Sequence, residues 1–189
     1  MSEQPSLRDN LRRLVDVQQG LAYVYRHQPW THRLVQGLWF ALQALLAASS
    51  AYGLGLLLHT QQAFWAAITA IAVTQQTYLD TRSTSRDQLI GALVGGIAGF
   101  GATLLLGEEY SAYAVAIVVA ITSCWLLGVG SAGRLSGTTT TIIMLVPHTG
   151  SFWLIALTRV GEVALGIVCS LVVVMLAERV QRWWVRPAD

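Results

Sequence analysis

Four stretches of this chain contain no Asp, Glu, Arg or Lys: Leu34 to Leu79, Gln88 to Gly107, Tyr110 to Gly133, and Leu135 to Thr158. Apolar runs of about 20 residues match about 30 Å of hydrocarbon, because a helix rises 1.5 Å per residue. A chain built this way is an all-α integral membrane protein, since helices satisfy their own backbone groups in lipid. Charged residues make up 12% of the sequence, about half the share of a soluble domain. The N-terminus "MSEQPSLRDNLRRL" is polar and lacks the basic start and apolar core of a signal peptide.

The runs divide into six expected spans, about 34–58, 63–79, 87–107, 112–132, 134–147 and 152–177. The fifth is short: Leu135 to Val146 reaches about 18 Å before Pro147, so it starts earlier, around Val129, or is partly unwound. Residues 1–30 read as an amphipathic segment. Within it Leu7, Leu11, Leu14, Leu21 and Tyr25 share one face of a helix over 5–26, suited to a membrane surface or a partner helix. Residues 31–178 form the membrane domain and 179–189 a basic tail.

All basic residues are arginine, and they alternate between sides. Arg8, Arg12, Arg13, Arg26 and Arg33 precede the first span. Arg82 and Arg86 fall between the second and third, Arg134 between the fourth and fifth, and Arg179, Arg182 and Arg186 after the last. The loops "HTQQ", "GEEYS" and "PHTGS" hold none. The positive-inside rule then puts both termini in the cytoplasm. Trp30, Trp39, Trp65, Trp153, Trp183 and Trp184 fall near span ends, where interfacial aromatics belong.

Arg159 and Glu162 break the rule of charge-free spans, lying well inside "FWLIALTRVGEVALGIVCSLVVVML". Each costs roughly 2.5–3.5 kcal/mol at a bilayer centre on insertion scales. Three residues apart, they are neighbours on one helix face. Either they neutralise each other and lock packing, or they face a wet cavity where Arg159 attracts an anion and Glu162 sets its availability.

Other polar residues sit at depth. Thr138, Thr139, Thr140 and Thr141 point around the short fifth span, bonding back to carbonyls or lining a lumen. The second span ends with Thr74, Gln75, Gln76 and Thr77, and short polar segments in two halves mark a transporter's binding region. "RDQLIGALVG" and "RVGEVALGIV" each place a glycine four residues after an acid, Asp87 with Gly91 and Glu162 with Gly166. That match expects spans one to three and four to six to be inverted copies. Gly91, Gly95 and Gly99 form a stripe for close helix approach, within one subunit or between two. Cys124 and Cys169 lie in apolar segments as small packed hydrophobes, and His27, His32, His59 and His148 show no metal-ligand spacing. No catalytic set, metal site or cofactor is expected.

"FWAAITAIAVTQQTYLDTRSTSRDQLIGALVGGIAG" resembles the hallmark region of the fusaric acid resistance (FUSC) family, the aromatic acid exporters. The positions that carry the likeness are Trp65, Arg86, Gly91 and Gly95, and "LTRVGEVALGIV" is similar to the family's last helix. Many members hold two six-span modules with soluble regions, so the chain looks like a half-sized member. The family in turn is similar to the membrane part of plant aluminium-activated malate channels. The resemblance implies export of small, often aromatic, organic anions by a homodimer. A passive anion channel is the alternative within that class, and a non-transporting membrane scaffold the alternative outside it. The residues expected to meet substrate are Arg159, Glu162, Thr138, Thr139, Thr140, Thr141, Gln75, Gln76 and Arg86, and no nucleic-acid partner is expected.

Overall fold

A computed structural model describes residues 29–60, 62–107, 109–146 and 152–184. The expected amphipathic helix over 5–26 lies outside these residues. Six α-helices are described: α1 (Trp30–Leu57), α2 (Phe64–Val73), α3 (Tyr78–Leu106), α4 (Tyr110–Leu126), α5 (Gly133–Leu145) and α6 (Phe152–Trp184). The chain divides into two units at Trp39, and everything from Phe40 onward is one of them. Helices α1, α3 and α6 are long and apolar enough to cross a membrane, whereas α2, α4 and α5, at 10, 17 and 13 residues, are shorter. Their exposed surfaces are rich in Leu, Val and Ile, as lipid-facing helices require.

Small residues determine how the helices meet. Helix α1 buries Gln43, Ala47, Ala51 and Gly55, and α4 buries Ala112, Ala116, Ala120 and Cys124, each a stripe repeating every fourth residue. Both helices stop in the same way. Thr60 N–H reaches back to Gly55 O and Val129 N–H to Cys124 O, with His59 and Gly128 at positive φ. This is the left-handed cap with a six-to-one bond that releases a helix into a tight turn. His59, at φ 55, takes a conformation that costs a side-chain-bearing residue about 1 kcal/mol.

The helices that follow these turns depart from the expected spans at the first half. Helix α2 ends at Val73 rather than near residue 79, because Thr74 turns extended (ψ 125) with its hydroxyl bonded back to Ala70 O at 2.7 Å. Gln75, Gln76 and Thr77 continue outside helix. Helix α3 then begins at Tyr78, nine residues earlier than the hydropathy pattern places it. Thr77 caps it, accepting the Asp80 N–H at 3.1 Å while its hydroxyl bonds Asp80 Oδ2 at 2.7 Å. Arg82 and Arg86 therefore ride on helical turns rather than in a loop. In the second half a 3₁₀ turn, Gly130–Ala132, leads into α5, which matches the expectation that the fifth span starts earlier.

Helix α3 is the hub, packing against α4, α5 and α6, while α2 packs on α6. At two places backbones nearly touch. A Cβ at Gly91 would lie 2.6 Å from Leu135 Cβ, 2.9 Å from Ala132 O and 3.0 Å from Ser136 N. A Cβ at Gly166 would lie 2.9 Å from Thr69 Cβ, 2.5 Å from Ala66 O and 2.9 Å from Ala70 N. The three atom types agree, and the three short-helix partners (Ala132 with Ala66, Leu135 with Thr69, Ser136 with Ala70) keep one constant offset. Each half's short helix thus runs parallel to the long helix of the other half. The halves α1–α3 and α4–α6 make matched close contacts at Gly91 and Gly166, the two glycines of the paired acid–glycine motifs. The glycine stripe is spent inside the subunit: Gly95 abuts Ser136 O and Gly99 abuts Ile143.

Candidate functional site

Close approach at Gly166 fixes what lies one turn before it. On α6 that turn carries Glu162, with Arg159 just ahead; on α2 it carries Trp65. The Arg159 Cζ sits over the Trp65 ring, 4.2 Å from its centroid. Trp65 is itself held, donating its indole N–H to Gln62 Oε1 at 3.0 Å and packing against the Phe64 ring at 5.0 Å. Stacking a guanidinium on an indole is worth up to about 2 kcal/mol when desolvated, and it leaves the edge of the cation free to donate.

Arg159 and Glu162 are 6% and 5% exposed. Their closest approach, Nη1 to Oε2, is 3.6 Å, an ion pair but longer than a hydrogen bond. Arg159 Nε and Nη1 have no hydrogen-bond partner among the described residues. A buried donor left unmatched costs about 1–3 kcal/mol, and more when charged. The pair therefore neutralises charge without saturating the guanidinium. What remains is a planar, cationic face with unused donors, whose natural complement is a carboxylate bound by two parallel bonds.

The threonines of α5 serve a different end. Thr140, fully buried, bonds Ser136 O at 3.0 Å and Gly95 O of α3 at 3.1 Å. Thr139 is buried against Gly95. Thr138 is exposed and bonds back to Arg134 O, and Thr141 bonds Gly137 O and faces Tyr113 Oη at 3.3 Å. The structure places Thr139 and Thr140 at the joint of α5 with α3 and Thr141 at its joint with α4, while Thr138 lies on the exposed face; none is hydrogen-bonded to Arg159.

Gln75 and Gln76 lie in the unwound stretch after α2, the first half-buried with its N–H on Thr81 Oγ, the second exposed. Arg86 is exposed on α3. Around this stretch two residues that sequence reading passed over make the ties. Ser170 Oγ meets Thr74 Oγ at 2.8 Å, and Glu178 Oε1 accepts the N–H of Tyr78 at the start of α3 while pairing with Arg182 at 2.9 Å. Trp65 was visible as an aromatic near a span end, but nothing in its neighbourhood announced the arginine. No cluster of metal-ligating side chains occurs among the described residues.

Residues 46–173 match the family model described as fusaric acid resistance protein-like. The matched range contains Trp65, Gly91, Arg159, Glu162 and Gly166. No curated protein and no solved structure matches the chain.

Proposed function

Because the chain belongs to the fusaric acid resistance protein-like family, a family of membrane transporters rather than enzymes, we propose that it carries small organic acids out of the cell, with Arg159 as the carboxylate-binding residue. One observation carries this reading: a buried guanidinium, stacked on Trp65 and 3.6 Å from Glu162, has Nε and Nη1 without a hydrogen-bond partner among the described residues. A substrate carboxylate replaces lost hydration best where donors are already oriented. Glu162 holds the arginine's charge in balance while the site is free, and Trp65 offers a flat face beside it for the ring of an aromatic acid.

The arginine distribution supports an inner-membrane protein with both termini in the cytoplasm. A homodimer is part of this reading because a single six-helix module has few elements with which to enclose a pathway, and a second copy would supply them. Purified protein in liposomes, assayed for flux of benzoate, salicylate, acetate and malate, tests the function. Saturable flux of aromatic carboxylates is expected; impermeability to every carboxylate would leave the scaffold reading in its place.

A further inference from the structure

The two halves are alike in their close helix contacts and unlike at one joint. Thr74 and Thr140 occupy matched positions: each bonds the carbonyl four residues earlier, Ala70 O or Ser136 O, and each reaches the long helix of the other half. Yet Thr140 lies within α5, which continues to Leu145, whereas α2 has already stopped at Val73. The partner across the joint differs as well. Thr140 meets the backbone of Gly95, where a Cβ would come far inside contact with Ser136 O, while Thr74 meets the side chain of Ser170. Helix α5 is thus bedded on α3 over Gly91, Gly95 and Gly99. Helix α2 has one such glycine beneath it, Gly166, and beyond it meets α6 through side chains, Val73 near Val163 and Thr74 on Ser170.

A second observation separates the joints. Of the buried side-chain atoms from residue 40 onward without a hydrogen-bond partner among the described residues, Arg159 Nε, Arg159 Nη1 and Thr69 Oγ belong to α6 and α2, Gln43 Oε1 to the stripe of α1 that packs against them, and Ser85 Oγ to the first turns of α3, before its glycine stripe. Hydroxyls at the α3–α5 joint, on Ser136 and Thr140, are matched. Unmatched polar groups and a broken helix mark the part of a fold that rearranges most cheaply. In transporters built from inverted repeats, one bundle rocks against the other around a site at their interface.

We infer that the chain is an alternating-access carrier rather than an open channel, in which α2 shifts along α6 while α3 and α5 stay together as the fixed frame. This rests on the transport reading above. Trp65 rides on α2 and Arg159 on α6, so the shift opens and closes the carboxylate site directly, and the unwound Thr74–Thr77 segment absorbs the change of length.

Paired cysteines test it, in a background with Cys124→Ser and Cys169→Ala. Thr74→Cys with Ser170→Cys replaces oxygens 2.8 Å apart and ties α2 to α6. Gly99→Cys with Ile143→Cys ties α3 to α5, where the Cβ separation of 3.6 Å suits a disulfide. Oxidising the first pair is expected to cut benzoate flux by about tenfold or more, reversed by reductant, because it blocks the limiting conformational step. Oxidising the second is expected to leave flux within about twofold of the reduced protein. Full flux through the oxidised first pair, or equal loss from both pairs, would overturn the inference. Spin labels at Ile71 and Val119, both exposed, give a reading that needs no flux. Benzoate should shift or redistribute their separation, while labels at Ile97 and Val119 should not move relative to each other. A fixed Ile71–Val119 distance overturns the moving joint, whereas a shifting distance in a protein without flux points instead against the transport reading.

Discussion

Arg159 and Trp65 belong to different halves of the chain and meet with the guanidinium carbon 4.2 Å from the indole centroid. The close backbone contact at Gly166 helps to bring them together, since Ala66 O would stand 2.5 Å from any Cβ there. The site is therefore as sensitive to a glycine as to its own charged groups.

Replacing Trp65 by Leu removes the stacked face and frees the arginine to collapse onto Glu162. Flux of aromatic carboxylates should fall about tenfold, corresponding to a loss of about 1.4 kcal/mol. Trp65→Phe should retain an intermediate value. Equal flux in wild type and Trp65→Leu would show that the stack is incidental.

Gly166→Ala and Gly91→Ala each force a methyl into opposing backbone. Overpacking of this kind costs typically 1–3 kcal/mol, roughly, and it should appear as a lowered unfolding temperature in detergent. Gly53→Ala and Gly161→Ala, which have open space at the Cβ, should change it little and give the reference. If all four variants melt alike, the close approach of the short helices is not what holds the halves together.

Thr140→Val is expected to act on stability rather than on transport. It deletes the buried bond to Gly95 O, worth about 1 kcal/mol, at a joint remote from the arginine. The variant should be less heat-resistant while its flux per folded molecule stays near wild type. A selective loss of flux would return the threonines to the substrate pathway.

Sidedness follows from the arginines. A cysteine at His59 should react with an impermeant thiol reagent added to intact cells, and one at Ser83 should react only after the membrane is opened. Labelling of Ser83→Cys from outside would reverse the assigned orientation.

Much of this architecture is legible in the chain. Charge-free runs mark the helices because lipid tolerates few ions, and the Asp87–Gly91 and Glu162–Gly166 motifs mark the matched contacts because each half needs a glycine where the other half's short helix crosses. Arg159 and Glu162 stand out for the same reason that they are expensive. What escapes is whatever hydropathy does not encode. The end of α2 at Val73 is decided by a hydroxyl bonding its own helix and by a cap at Thr77, so the apolar run gives no sign of it. Likewise composition leaves the threonines of α5 between bonding back to carbonyls and lining a lumen, and it gives no sign that Thr140 reaches Gly95 O of α3. The pairing of Trp65 with Arg159 depends on two helices running parallel at one register, which a single sequence does not display.

The central claim is that Arg159 binds the substrate carboxylate rather than merely pairing with Glu162. Flux of benzoate into liposomes by Arg159→Gln, compared with the charge-swapped Arg159→Glu/Glu162→Arg protein, tests it most directly. Both variants should insert and fold, and the swapped pair keeps the neutral balance a structural role requires. The account predicts that both lose at least about tenfold in flux, because neither presents a cation at that place. Wild-type flux from Arg159→Gln, or full activity from the swapped pair, would contradict it.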